Sequence, residues 1–130
     1  MANTHPQRWL KGVCLLGGLL LTAIGARFLL APESAARAFG VATPPAGHEM
    51  HYIIGLRDIW LGLLAVALAA LHQWRAVMIW SGIGAVVCFA DAGIAGMSSG
   101  RLPQVAFHFG SGMVCIAVTL LILRQRRNET

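Results

Sequence analysis

Charge is scarce in this chain, and acid is scarcer still: five Asp and Glu against ten Lys and Arg in 130 residues. A soluble domain carries about 25% charged residues. With 12%, this chain cannot clothe an exterior in polar groups, which excludes an ordinary water-soluble globule. A Gly-rich phosphate loop, a serine nucleophile elbow and a CxxC pair are all missing, so no local motif points to nucleotide, hydrolase or thiol-redox chemistry. Basic stripes interleaved with aromatics are missing too. The net charge of +5 therefore does not mark a nucleic-acid partner. Cys14, Cys88 and Cys115 all lie in apolar runs and read as small buried hydrophobes rather than a disulfide framework.

Long apolar runs are what the sequence has instead, and its mean hydropathy is +0.68. A bilayer core of about 30 Å takes roughly 20 apolar residues as a helix. Four segments meet that length: Trp9–Leu30, His51–Leu71, Arg75–Gly96 and Pro103–Leu123. The expected fold is all-α, a four-transmembrane-helix bundle in one domain over residues 1–130, its main solvent membrane lipid. Ala31-Pro32-Glu33-Ser34 stops the first span and starts a short interfacial helix over Pro32–Phe39, with Pro at its first position and Gly40 just past its end. Thr43-Pro44-Pro45-Ala46-Gly47 forces a non-helical link. Gln73-Trp74-Arg75 is expected as a tight turn, and Ser98 to Pro103 as the last connection. Ala23-Ile24-Gly25 resembles a leader cleavage site, but the apolar run continues through Leu30, which favours a retained span.

Lys and Arg outside the spans set the orientation. An even number of helices puts Arg8, Lys11, Arg75, Arg124, Arg126 and Arg127 on one side. Arg37, Arg101 and a snorkelling Arg27 lie on the other. Both termini are expected in the cytoplasm, with the protein in the inner (plasma) membrane of a bacterium.

The polar residues inside the spans are the informative ones. An Asp, Lys or Arg at mid-membrane costs at least about 2.5–3.5 kcal/mol on insertion scales, yet the chain's two aspartates, Asp58 and Asp91, both fall inside spans. Arg57 and His108 join them. At 1.5 Å per residue, Arg57 lies about 9 Å, Asp91 about 6–8 Å and His108 about 7–8 Å from the same membrane face, with Arg27 about 5 Å from it. Such a common level suggests one shared site. His51 and Asp58, seven apart, share a helix face, with Arg57 about 100° away; Gln104, His108 and Ser111 form a second stripe. Gly84, Cys88, Ala92 and Gly96 make a small-residue stripe on the third span, suited to close helix packing. The candidate ligand-binding set is Arg57, Asp58, Asp91, His108, His51, Gln104 and Arg27, with Asp58, Asp91 and His108 as candidate acids and bases. Arg57 is expected to pair with a carboxylate, Asp91 across a helix interface, with Asp58 as the alternative counter-ion. A pocket is expected at the outer-leaflet level, over a tightly packed inner half. His51 and His108 could in principle ligate haem or a metal, but no tight ligand spacing supports this, so no metal or cofactor is expected.

The strings Ala26-Arg27-Phe28-Leu29-Leu30-Ala31-Pro32-Glu33, Ala38-Phe39-Gly40-Val41 and Tyr52-Ile53-Ile54-Gly55-Leu56-Arg57-Asp58-Ile59-Trp60-Leu61-Gly62 resemble a bacterial and fungal family of small four-helix membrane proteins of unknown function. The hydropathy is distantly similar to DoxX-type proteins. The resemblance covers roughly Gly12 to Leu123, supports four spans, marks Arg57 and Asp58 as motif residues, and implies no activity. Three functions fit the residues. The first is binding or transformation of a small lipophilic molecule, with Asp and His as acid and base and Arg57 placing an anionic group. The second is an accessory subunit, in a homo-oligomer or larger complex, whose polar cluster is architectural. The third is an oligomeric small-solute or proton-coupled transporter.

Overall fold

A computed structural model describes residues 4–43 and 46–127, with side chains from Arg8 onward. It contains α1 (Thr4–Leu30), α2 (Pro32–Phe39), α3 (Glu49–Ala70), α4 (Trp74–Ser98) and α5 (Leu102–Arg127), with no strand among the described residues. The four long helices are each long and apolar enough to cross a membrane. They coincide with the four expected spans and overrun them by a few polar residues at the ends. The protein is an all-α integral membrane bundle. Large apolar side chains such as Leu16, Ile83 and Val86 are exposed because their solvent is lipid.

The short connections follow from backbone chemistry. Pro32 begins α2, where its missing N–H is no loss. Gly40, at φ 116°, ends it. The Val41 N–H reaches back to the Ala36 carbonyl at 3.0 Å and the Gly40 N–H to the Arg37 carbonyl at 3.2 Å, a Schellman cap that needs a left-handed residue. The same bonding pattern closes α3, from Gln73 to Leu68 and from His72 to Ala69. There His72 itself takes the left-handed conformation at φ 56°. The expected turn thus lies one to two residues earlier, and Trp74 and Arg75 open α4. Pro44 and Pro45, in the expected proline link, lie outside the described residues.

Two antiparallel helix pairs make up the bundle, α1 with α3 and α4 with α5. The first pair is held by glycines: a Cβ on Gly25 would lie 2.6 Å from the Gly55 carbonyl oxygen, and one on Gly18 2.8 Å from that of Gly62. Backbones this close gain dispersion contacts that a side chain would block, the main attraction open to helices in lipid. The small-residue stripe on α4 behaves differently from its expected role. Gly84 and Gly96 meet Cys115 and Val105 of α5 at 3.9 and 3.7 Å, ordinary contact, so the tightest backbone approach belongs to α1 and α3.

The two pairs meet at both ends. At the end carrying the termini, Leu10, Val77, Val118 and Ile122 form a buried cluster backed by Leu68 and Trp74. At the other, α2 is the bridge. It packs Ala35 and Ala36 against Phe28 of α1. Its far end reaches the second pair, where the Ala42 N–H donates to Ser98 Oγ at 3.0 Å.

Candidate functional site

The polar level begins on α3. Its buried stripe runs His51, Gly55, Asp58, Gly62, Ala65, Ala69, a three-and-four spacing that keeps one helical face inward. His51 and Asp58 therefore share the face that the glycines present to α1. Asp58 is buried, while the Arg57 side chain is 49% exposed. The Arg57 guanidinium folds back onto its neighbour, donating Nε–H to Asp58 Oδ1 at 3.0 Å, with Nη2 in ion-pair contact at 2.9 Å from the same oxygen. The partner expected for Arg57, Asp91, is not its ion-pair partner. An arginine stem is long enough to bend across the 100° between adjacent residues, and a local pair needs no helix to be brought closer.

Asp91, half-buried on α4, accepts no hydrogen bond and makes no ion pair among the described residues. It lies within electrostatic reach of His108, Arg57 and Asp58. His108 is buried on α5 and donates Nε2–H to the Phe39 carbonyl at 2.9 Å, with the two rings 4.3 Å apart. That carbonyl is the last of α2 and is left without a partner by the Schellman cap, so an imidazole from another helix completes it. Gln104, one turn before His108, abuts Gly40, as does Ala95, one turn beyond Asp91. The Oε1 of Gln104 is buried without a hydrogen-bond partner. On the other side of Phe28 and Phe39, His51 stacks on Phe28 at 6.2 Å between ring centres, and its buried Nδ1 is likewise unpartnered.

Asp58, Asp91 and His108 are thus gathered at one level, about 9–13 Å below the α2 end. Arg27 does not join them: it is exposed and donates to Ser34 Oγ at 2.8 Å. Ser111 turns to its own helix, donating to the Phe107 carbonyl. Among the described residues no three His, Cys, Asp or Glu side chains converge as metal ligands would.

The apolar cavity lies elsewhere than the expected pocket. A cavity of about 70 Å³ sits between the two pairs, walled almost wholly by apolar atoms of residues including Cys14, Gly17, Ala65, Trp80, Val114 and Cys115. It lies about 18–27 Å from the α2 end, in the half expected to be tightly packed, and touches none of Arg57, Asp58, Asp91 or His108. The glycine contacts draw α3 to α1 and the second pair closes on itself, so the space is left between the pairs. At its wall Ser81 and Thr119 share a hydrogen bond of 2.8 Å, a polar tie between α4 and α5 that sequence reasoning missed. Each hydroxyl also stands within hydrogen-bond distance of a backbone carbonyl about one turn back, so the one that does not donate across the pair can donate to its own helix, which lets both hide in an apolar stretch.

The family model described as Domain of unknown function (DUF4267) matches residues 18–122. The chain belongs to this family. The match takes in all of α2 to α4, the Gly-Leu-Arg-Asp stretch and both intramembrane aspartates. No curated protein and no solved structure matches the chain, so the distant DoxX likeness has no counterpart in these comparisons.

Proposed function

We propose that this DUF4267 protein binds a small amphiphile between its two helix pairs, with the polar head at the Asp58, Asp91 and His108 level and the apolar part in the cavity beneath. The observation that carries the reading is the stacking of the two features. On α3 the cavity begins at Ala65, about two turns below Asp58 on the same buried stripe. Ligand sites combine an apolar wall with a few convergent polar groups, and intramembrane ionisable groups mark such sites by default. Five unbroken helices, with a buried cluster closing the termini end, favour a chamber with one polar end over a through-path, since transporters use helices interrupted near the midplane. The cationic bias supports a reading with both termini in the cytoplasm and the polar level towards the outer leaflet.

The test is native mass spectrometry of protein released from its own membrane. A bound species of discrete mass is expected on the wild type and absent from Ala65→Leu, which fills the cavity. A bare wild-type protein, or the same adduct on both proteins, contradicts the reading.

A further inference from the structure

Resting on that reading, we propose that the head group is a hydrogen-bond-donating cation, of the primary or secondary alkylammonium class, received by Asp91 and Gln104. Arg57, the group the sequence offered to an anion, is paired with Asp58. The Nε2–H of His108 is occupied by the Phe39 carbonyl. Asp91 is then the acid at this level with no ion pair or hydrogen bond among the described residues, and the Oε1 of Gln104 is a buried acceptor without a partner. Gly40 of the α2 cap packs against Ala95, one turn from Asp91, and against the Cβ of Gln104, so both acceptors stand within about a turn of the point where α2 meets the second pair.

An unpaired carboxylate at this depth is costly, and a cation beside it offsets the desolvation of both through charge-assisted hydrogen bonds. An ammonium brings up to three donors to these acceptors. An alcohol brings one donor and no charge. A carboxylate would face Asp91 in a medium where repulsion is strong.

The test uses Trp80, whose side chain lines the cavity, as the sole tryptophan, with Trp9, Trp60 and Trp74 replaced by Phe. Bromine on the tail end quenches an indole it touches, so 8-bromooctylammonium, 8-bromooctanol and 8-bromooctanoate are compared in lipid nanodiscs. A protein retaining only the lipid-facing Trp60 corrects for partitioning into the bilayer. Quenching of Trp80 by the ammonium at a concentration at least tenfold below the alcohol, with little effect of the carboxylate, is expected. Asp91→Asn should erase the tenfold preference and keep quenching by the alcohol, while Asp91→Glu keeps the preference. Equal quenching by ammonium and alcohol, or a preference that survives Asp91→Asn, overturns the cation and leaves the chamber standing. Quenching of Trp80 by none of the three beyond the Trp60 control overturns the chamber itself.

Discussion

At the scale of single residues, two interactions hold the polar level together. Arg57 and Asp58 form one unit, so removing either strands the other. A buried acceptor left unsatisfied costs about 1–3 kcal/mol, more if charged, and the half-exposed Arg57 can recover part of its loss by reaching water or headgroups. Arg57→Leu and Asp58→Leu should each lower stability in detergent by about that amount, and the double variant by clearly less than the sum. Combining Arg57→Leu with Asp91→Leu should be nearly additive. A larger coupling to Asp91 than to Asp58, read from unfolding midpoints, would contradict the pairing. The second is the bond of His108 to the Phe39 carbonyl. It ties α2 to α5, and His108→Phe keeps the ring contact but drops the donor. Overall helicity should stay unchanged by circular dichroism, while amide exchange at Gly40 and Val41 accelerates. Unchanged exchange there would mean that the hydrogen bond does not hold α2. Asp58 was legible beforehand only as the alternative to Asp91, and the Phe39 carbonyl was not legible at all. A backbone carbonyl has no signature in sequence, and the reach of a guanidinium lets its adjacent neighbour compete with any acid across the bundle.

At the scale of elements, glycine placement decides which helices pair. Gly25 and Gly62 meet backbone within 3 Å of where a Cβ would stand, whereas a Cβ on Gly84 would make only ordinary contact, with Cys115. Gly62→Ala should push α1 from α3 and cost about 1–3 kcal/mol, the usual penalty of overpacking. Gly84→Ala should be neutral or slightly stabilising, since alanine is the better helix former. Thermal melting of the two variants side by side checks this, and equal losses would remove the glycine contacts as the cause of the α1–α3 pairing. The four spans and the interfacial helix were plain in the sequence because apolar length, Pro32 and Gly40 act locally. The pairing was not, although a signal existed: Gly18 and Gly25 on α1, like Gly55 and Gly62 on α3, recur at seven, which sets them on one helical face. The four-residue stripe on α4 is more conspicuous, but small residues permit a close approach without requiring one.

At the scale of the whole molecule, the two pairs are joined at the termini end by Leu10, Val77, Val118 and Ile122, and at the other by α2. The cavity lies between these joints. A polar level could be read from sequence by counting residues along alternating helices. The cavity could not, because it is a remainder left by packing rather than a property of any one segment. Orientation is a further expectation at this scale: a cysteine at Gly100 should react with impermeant thiol reagents from outside intact cells, and one at Gln73 should not. The reverse labelling would put the polar level towards the inner leaflet. The central claim, that the space between the pairs holds an amphiphile, is tested most directly by locating one. An octyl probe with a diazirine at its tail end, irradiated with the protein in nanodiscs and mapped by peptide mass spectrometry, should insert at the cavity walls, at Ala65, Trp80 and Val118, and lose those sites in Ala65→Leu. Insertion confined to lipid-facing residues such as Leu16, Ile83 and Val86 would contradict it.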